Sequence, residues 1–116
     1  MNRLEAKVNA KIIQQLSFFL MTNRVKDYHI HVQPTDHGVQ FIISSKDITQ
    51  DMLDFMMEKT NRKRELEVEV YGIELLGDES AHNELDVLGA FIDRMETYTE
   101  KDIHHLIITR TYPYKE

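Results

Sequence analysis

The chain has no cysteine, and that one absence removes disulfides, thiolate metal sites and cysteine nucleophiles together. It suits a reducing compartment, and the expected location is the cytoplasm. Proline (two residues) and glycine (four residues) are too scarce for a fibrous or low-complexity chain, and no linker or internal repeat is visible. Long apolar runs are also missing. The longest candidate, Leu16 to Met21 in "MNRLEAKVNAKIIQQLSFFLM", is preceded by Lys7, Lys11 and the Gln14-Gln15 pair, so neither a signal peptide nor a membrane anchor is expected. Basic residues are outnumbered, 14 Lys and Arg against 20 Asp and Glu, for a formal charge of −6. Phosphate backbones are held by concentrated positive charge, so nucleic acid is not an expected partner. The single dense basic run, Arg62 to Arg64, is followed at once by Glu65, Glu67 and Glu69.

What is present reads as one globular domain. A chain of 116 residues buries roughly two thirds of the surface it exposes when unfolded, enough for one core. Leu4, Val8, Ile12, Leu16, Phe19 and Leu20 recur at helical spacing on one arc and predict a first helix of about five turns. The period then changes to two. Tyr28, Ile30 and Val32 alternate with His29, His31 and Gln33, and after a turn with Pro34, Asp36 and Gly38 the alternation resumes at Val39, Phe41 and Ile43, which predicts an antiparallel hairpin. Asp47, with Gln50 three residues on, is the expected cap of a second helix whose apolar stripe is Ile48, Met52, Phe55 and Met56, ending near "TNRKR". In "ELEVEVYGIELLG" glutamate alternates with Leu66, Val68 and Val70 as in a half-solvated strand, with a phase break at Gly72.

From Asn83 the period is helical again. Leu85, Leu88, Phe91, Ile92 and Met95 share a face, and Ser80 or Asn83 supplies the cap. A short strand, a turn at Lys101-Asp102 and a strong strand from Ile103 to Tyr112 close the chain. Because Leu106, Ile107 and Ile108 place apolar groups on both faces, that last strand is expected inside the sheet. The fold class expected is α+β, a two-layer sandwich with three helices packed on one face of a mixed, mainly antiparallel sheet.

This order of elements, with the helix "NELDVLGAFIDRME" before a short strand and a final apolar strand, resembles the histidine-kinase-like ATPase fold, whose small members include anti-sigma-factor kinases. The resemblance implies three elements of an ATP site. An acid four residues before an asparagine on the first helix would place a base and a magnesium ligand, and Glu5 and Asn9 have that spacing. An aspartate with glycines after an inner strand would bind the adenine amino group. Asp47 stands there, but its neighbours Lys46, Ile48 and Thr49 include no glycine. A glycine-rich lid would bring backbone N–H groups onto the phosphates, and Gly77 and Gly89 flank the corresponding stretch. Gly89, however, lies within the helical pattern, and Glu79, Glu84 and Asp86 crowd the helix start, where they favour the helix dipole but repel phosphate. The stretch reads as a loop and a capped helix without a phosphate cradle, so the resemblance implies a degenerate member that has lost its nucleotide.

Other chemistry is sparse. His29 and His31 project from one side of a strand and, with Asp36, form the candidate metal set, although their phase also makes them ordinary solvent-facing residues. His104 and His105 point to opposite faces. Serine, histidine and aspartate all occur, but no serine sits on a nucleophile turn. Ser44 and Ser45 are candidate phosphorylation sites that read equally as strand-end residues. Apolar groups off the buried arcs are more informative. Phe18 and Met21 on the first helix, Ile42 and Ile107 on the second faces of their strands, and Tyr112 and Tyr114 in the tail mark a surface for a protein partner, one candidate being a second copy. The expectation is a non-enzymatic protein-binding or regulatory module with no resident cofactor and no nucleic-acid or membrane partner. The alternative is an ATP-dependent serine protein kinase of anti-sigma type.

Overall fold

The computed structural model describes residues 3–60, 89 and 91–112. Within them the order is α1 (Arg3–Thr22), β1 (His29–Pro34), β2 (Gly38–Ser45), α2 (Gln50–Thr60), β3 (Arg94–Glu100) and β4 (Ile103–Thr111). The four strands form one sheet in the order β1-β2-β4-β3, and every pairing is antiparallel. The architecture is α+β. Strand β4 lies between β2 and β3, as its apolar residues on both faces require.

Two helices are present among the described residues. Of the expected third helix residues 89 and 91–96 are described: Gly89 and Phe91 are helical, Ile92 is not, and Met95 belongs instead to β3, paired with Ile108. Its side chain is buried as the helical pattern demanded, but an extended backbone delivers it. The stretch "ELEVEVYGIELLG" lies outside the described residues. So does Gly77.

Alternation divides the strands cleanly. Val39, Phe41 and Ile43 of β2 and Leu106 and Ile108 of β4 point to the buried face, where they form one cluster with Val8, Ile12, Leu16 and Leu20 of α1 and Leu53 and Met56 of α2. Both helices therefore cover the same side of the sheet. The helix stripes differ in detail from the sequence pattern. In α2 the buried side chains are Leu53 and Met56, while Phe55 is exposed and stacks on Phe19 of α1 at 6.0 Å. In α1 the first turn buries Glu5 and leaves Leu4 exposed.

That inversion has a cause. Arg110 of β4 points into the core, 1% exposed, and its guanidinium donates to both oxygens of Glu5, Nε to Oε2 at 3.0 Å and Nη2 to Oε1 at 2.7 Å. Its Nη1 donates to the Phe91 carbonyl at 2.7 Å, and the Phe91 ring lies 5.9 Å from the guanidinium carbon. A buried charge is tolerated only with a close partner and satisfied hydrogen bonds. Glu5 provides both, so the first turn of α1 rotates its acid inward.

The connections are built from local chemistry. Helix α1 ends in a Schellman motif, in which Val25 N–H donates to Leu20 O at 2.9 Å and Arg24 N–H to Met21 O at 3.1 Å, with Arg24 at φ 64° where glycine is usual. Lys101 and Asp102 both take positive φ in the two-residue β3–β4 turn, whose twist matches that of the strands. Pro34 sits at the end of β1, the outer strand of the sheet among the described residues, a position that tolerates its missing N–H. Gly38 is required by contact, because a Cβ there would stand 1.9 Å from the Arg110 carbonyl oxygen. The cap of α2 is Thr49, whose Oγ1 accepts from Met52 N–H at 3.2 Å. Asp47, the expected cap, turns away. Its Oδ2 accepts from the N–H groups of Lys26 and Asp27, each at 3.3 Å, and ties the α1–β1 connection to the β2–α2 loop.

Two outcomes follow for urea unfolding. Glu5→Ala strands the buried Arg110 charge and is expected to cost about 3–5 kcal/mol, whereas Glu5→Leu with Arg110→Met costs much less than that. Equal losses would show that the pair is not what holds the two elements. Thr49→Ala is expected to cost about 1 kcal/mol through the lost cap.

Candidate functional site

The face of the sheet away from the helices carries the chemistry. Register places its side chains in rows that cross all four strands. His29, Ser44, His105 and Tyr98 make one row; His31, Ile42, Ile107 and Glu96 the next; Gln33, Gln40, Thr109 and Arg94 the third. Side chains on the edge strands β1 and β3 are exposed, and those on β2 and β4 are half-buried between their neighbours. The face is mostly polar, with the Ile42–Ile107 pair at its centre, Tyr98 and Ile103 exposed toward one end, and an Arg94–Glu96 ion pair at 2.8 Å on the β3 edge. Both partners of that pair are more than half exposed, so it adds little stability.

The first row is the most organised. Ser44 Oγ lies 2.7 Å from His105 Nδ1 in a half-buried hydrogen bond, and the His105 ring stacks on Tyr98 with centroids 4.5 Å apart and planes 10° from parallel. Beside this row a cleft of about 190 Å³ opens where β1 starts, β2 ends and β4 starts, lined by Asp27, His29, Ser44, Ser45, Lys46 and Ile103. Ser45 points to the other side. Its Oγ donates to the Asp27 carbonyl at 2.6 Å and accepts from Asp47 N–H at 2.9 Å, which shapes the rim of the cleft.

The residues singled out from sequence are distributed as follows. Glu5 is engaged by Arg110, and Asn9, one turn on, is buried beside it on α1. Asp47 holds backbone N–H groups, and Gly89 is buried and helical just before β3. His29 and His31 lie on the open face of β1, while Asp36 is in the hairpin turn beyond Pro34. At about 3.3 Å per residue the strand carries Asp36 well out of reach of an ion shared with them. Among the described residues no three His, Asp or Glu side chains converge on a metal position. Ile42 and Ile107 are brought directly opposite each other. Tyr112 is half-buried, its N–H donating to the His37 carbonyl at 2.9 Å, and Tyr114 lies outside the described residues.

His105 and Tyr98 escaped the sequence reading as site residues. Ser44 and His105 are 61 positions apart, and only the β2–β4 register aligns them. The one local signal was phase, since the odd-numbered residues of β4 share the face opposite Leu106 and Ile108. No helix among the described residues is long and apolar enough to cross a membrane. Comparison of the chain with models of known protein families, with curated proteins and with solved structures gives no match.

Proposed function

We propose that this chain is a non-enzymatic protein-binding or regulatory module of the cytoplasm, with a histidine-kinase-like ATPase type of fold that has lost its nucleotide. The observation that carries the reading is the engagement of both acids that such a site would need. Glu5 is sealed in the core against Arg110, where it can neither take a proton from water nor ligate magnesium. Asp47 faces the Lys26 and Asp27 N–H groups. The described elements, helix, hairpin, helix and closing hairpin, run in the order the resemblance implies, and a third helix over the apolar period from Asn83 is part of the proposal.

Partner binding is assigned to the open sheet face. Ile42 and Ile107 are its apolar centre, with the hydrogen-bonding groups of the three rows around them, a composition that suits a surface exposed until a partner covers it. A second copy of the chain is one candidate occupant.

Thermal unfolding with and without millimolar magnesium-ATP tests the reading. A site filled to a hundred times its dissociation constant adds about 2.7 kcal/mol, a shift of several degrees for a domain of this size. No shift is expected. A shift that Asp47→Ala abolishes would make the chain a divergent ATPase or kinase.

A further inference from the structure

We infer that Ser44 is a nucleophilic serine, with His105 as its base, which accepts an acyl group from a small activated carboxylic ester. The inference rests on residues separate from those of the nucleotide question, and it goes beyond the proposed function: if it holds, the module also carries an acyl-transfer activity and the non-enzymatic part of that reading is replaced.

Four observations meet at this hydroxyl. The Oγ–Nδ1 distance of 2.7 Å lies within the range of about 2.6–3.2 Å over which a base activates a serine. Stacking on Tyr98 fixes the imidazole plane, so the base is held in place before substrate arrives. Ser44 lines an open cleft of about 190 Å³, which leaves room for a short acyl group beside its hydroxyl. Lys46 lines the same cleft, and a cationic side chain there would favour the negative charge that develops on a carbonyl oxygen.

The molecule also contains the comparison that shows what is particular here. Thr99 Oγ1 and His104 Nδ1 form a second cross-strand pair at 2.8 Å, on the opposite face of the same hairpin. That pair is exposed, and neither residue lines the cleft. A hydroxyl–imidazole contact alone is a common way to join strands. Of the two pairs, only the Ser44–His105 pair has its hydroxyl on the cleft and its imidazole stacked on an aromatic ring.

The chemistry balances without an added oxidant or reductant. With the imidazole proton on Nε2, Nδ1 accepts the Ser44 proton as Oγ bonds to the ester carbonyl carbon. The carbon–oxygen bond to the leaving alcohol then breaks, and His105 returns the proton to that alcohol, leaving acyl-Ser44. Water attacking the acyl carbon by the same proton path would restore the serine. An acyl group on Ser44 would stand on the face assigned to the partner, beside Ile42.

The test uses the full chain and p-nitrophenyl acetate, reading nitrophenolate release and locating the acetyl group by peptide mass mapping. Acetylation of Ser44 is expected, lost in Ser44→Ala. His105→Ala slows it by about 100-fold or more, as removal of a general base does, and added imidazole restores part of the rate. His105→Phe keeps an aromatic ring against Tyr98 and is expected to be as slow as His105→Ala, which separates lost base from lost packing. Thr99→Val and His104→Ala leave the rate unchanged. Acetyl groups confined to lysine or other side chains, or a His105→Phe variant as fast as the parent, would overturn the inference.

Discussion

Arg110 is the constraint around which the rest of the structure is arranged. It lies on a central strand, points into the apolar layer and is 1% exposed, so its charge must be met there or the strand cannot occupy that position. Glu5 from the first turn of α1 and the Phe91 carbonyl just before β3 meet it together. Three segments distant in sequence are thereby fixed to one guanidinium. Hydrophobic burial drives collapse but is nearly indifferent to small sliding of a helix across a sheet. A two-pronged Arg–carboxylate contact is not, because its hydrogen bonds hold in only one relative placement. The pair specifies the position of α1, and the apolar cluster supplies the stability.

The same pair bears on function. An acid on the first helix was the natural candidate for catalysis or metal binding, and the fold uses it as a counter-ion. Asp47 is similar: it joins two loops through the backbone N–H groups of Lys26 and Asp27. Residues that resembled parts of a nucleotide site serve the architecture, and the organised chemistry lies on the other side of the sheet. There, each strand contributes one member to a row that no single segment contains.

Much of the fold was legible because it depends on period. The β1–β2 hairpin, the β3–β4 turn at Lys101-Asp102 and the interior place of β4 all follow from alternation and turn chemistry within short windows. Errors arose where two local readings were equally good. Met95 satisfied a helical stripe and is an inward residue of β3, since one apolar residue at a segment boundary fits either period. The cap of α2 is Thr49 instead of Asp47 because both are good caps and long-range hydrogen bonds to Lys26 and Asp27 claimed the aspartate. Leu4 and Glu5 exchanged the roles that hydrophobicity assigned them, for the sake of an arginine 105 residues away.

By itself the sequence determined the α+β class, the faces of the strands and the absence of cysteine chemistry, because these depend on residue type and on periods of two and 3.6. Tertiary structure alone decided which side chains from different strands became neighbours. Ser44 meets His105, Ile42 meets Ile107 and Arg110 meets Glu5 through register and helix placement, and a shift of one residue in β4 would turn each of its side chains to the opposite face. Local composition carries no record of such long-range pairings, so the chemistry of this protein is a property of the assembled sheet.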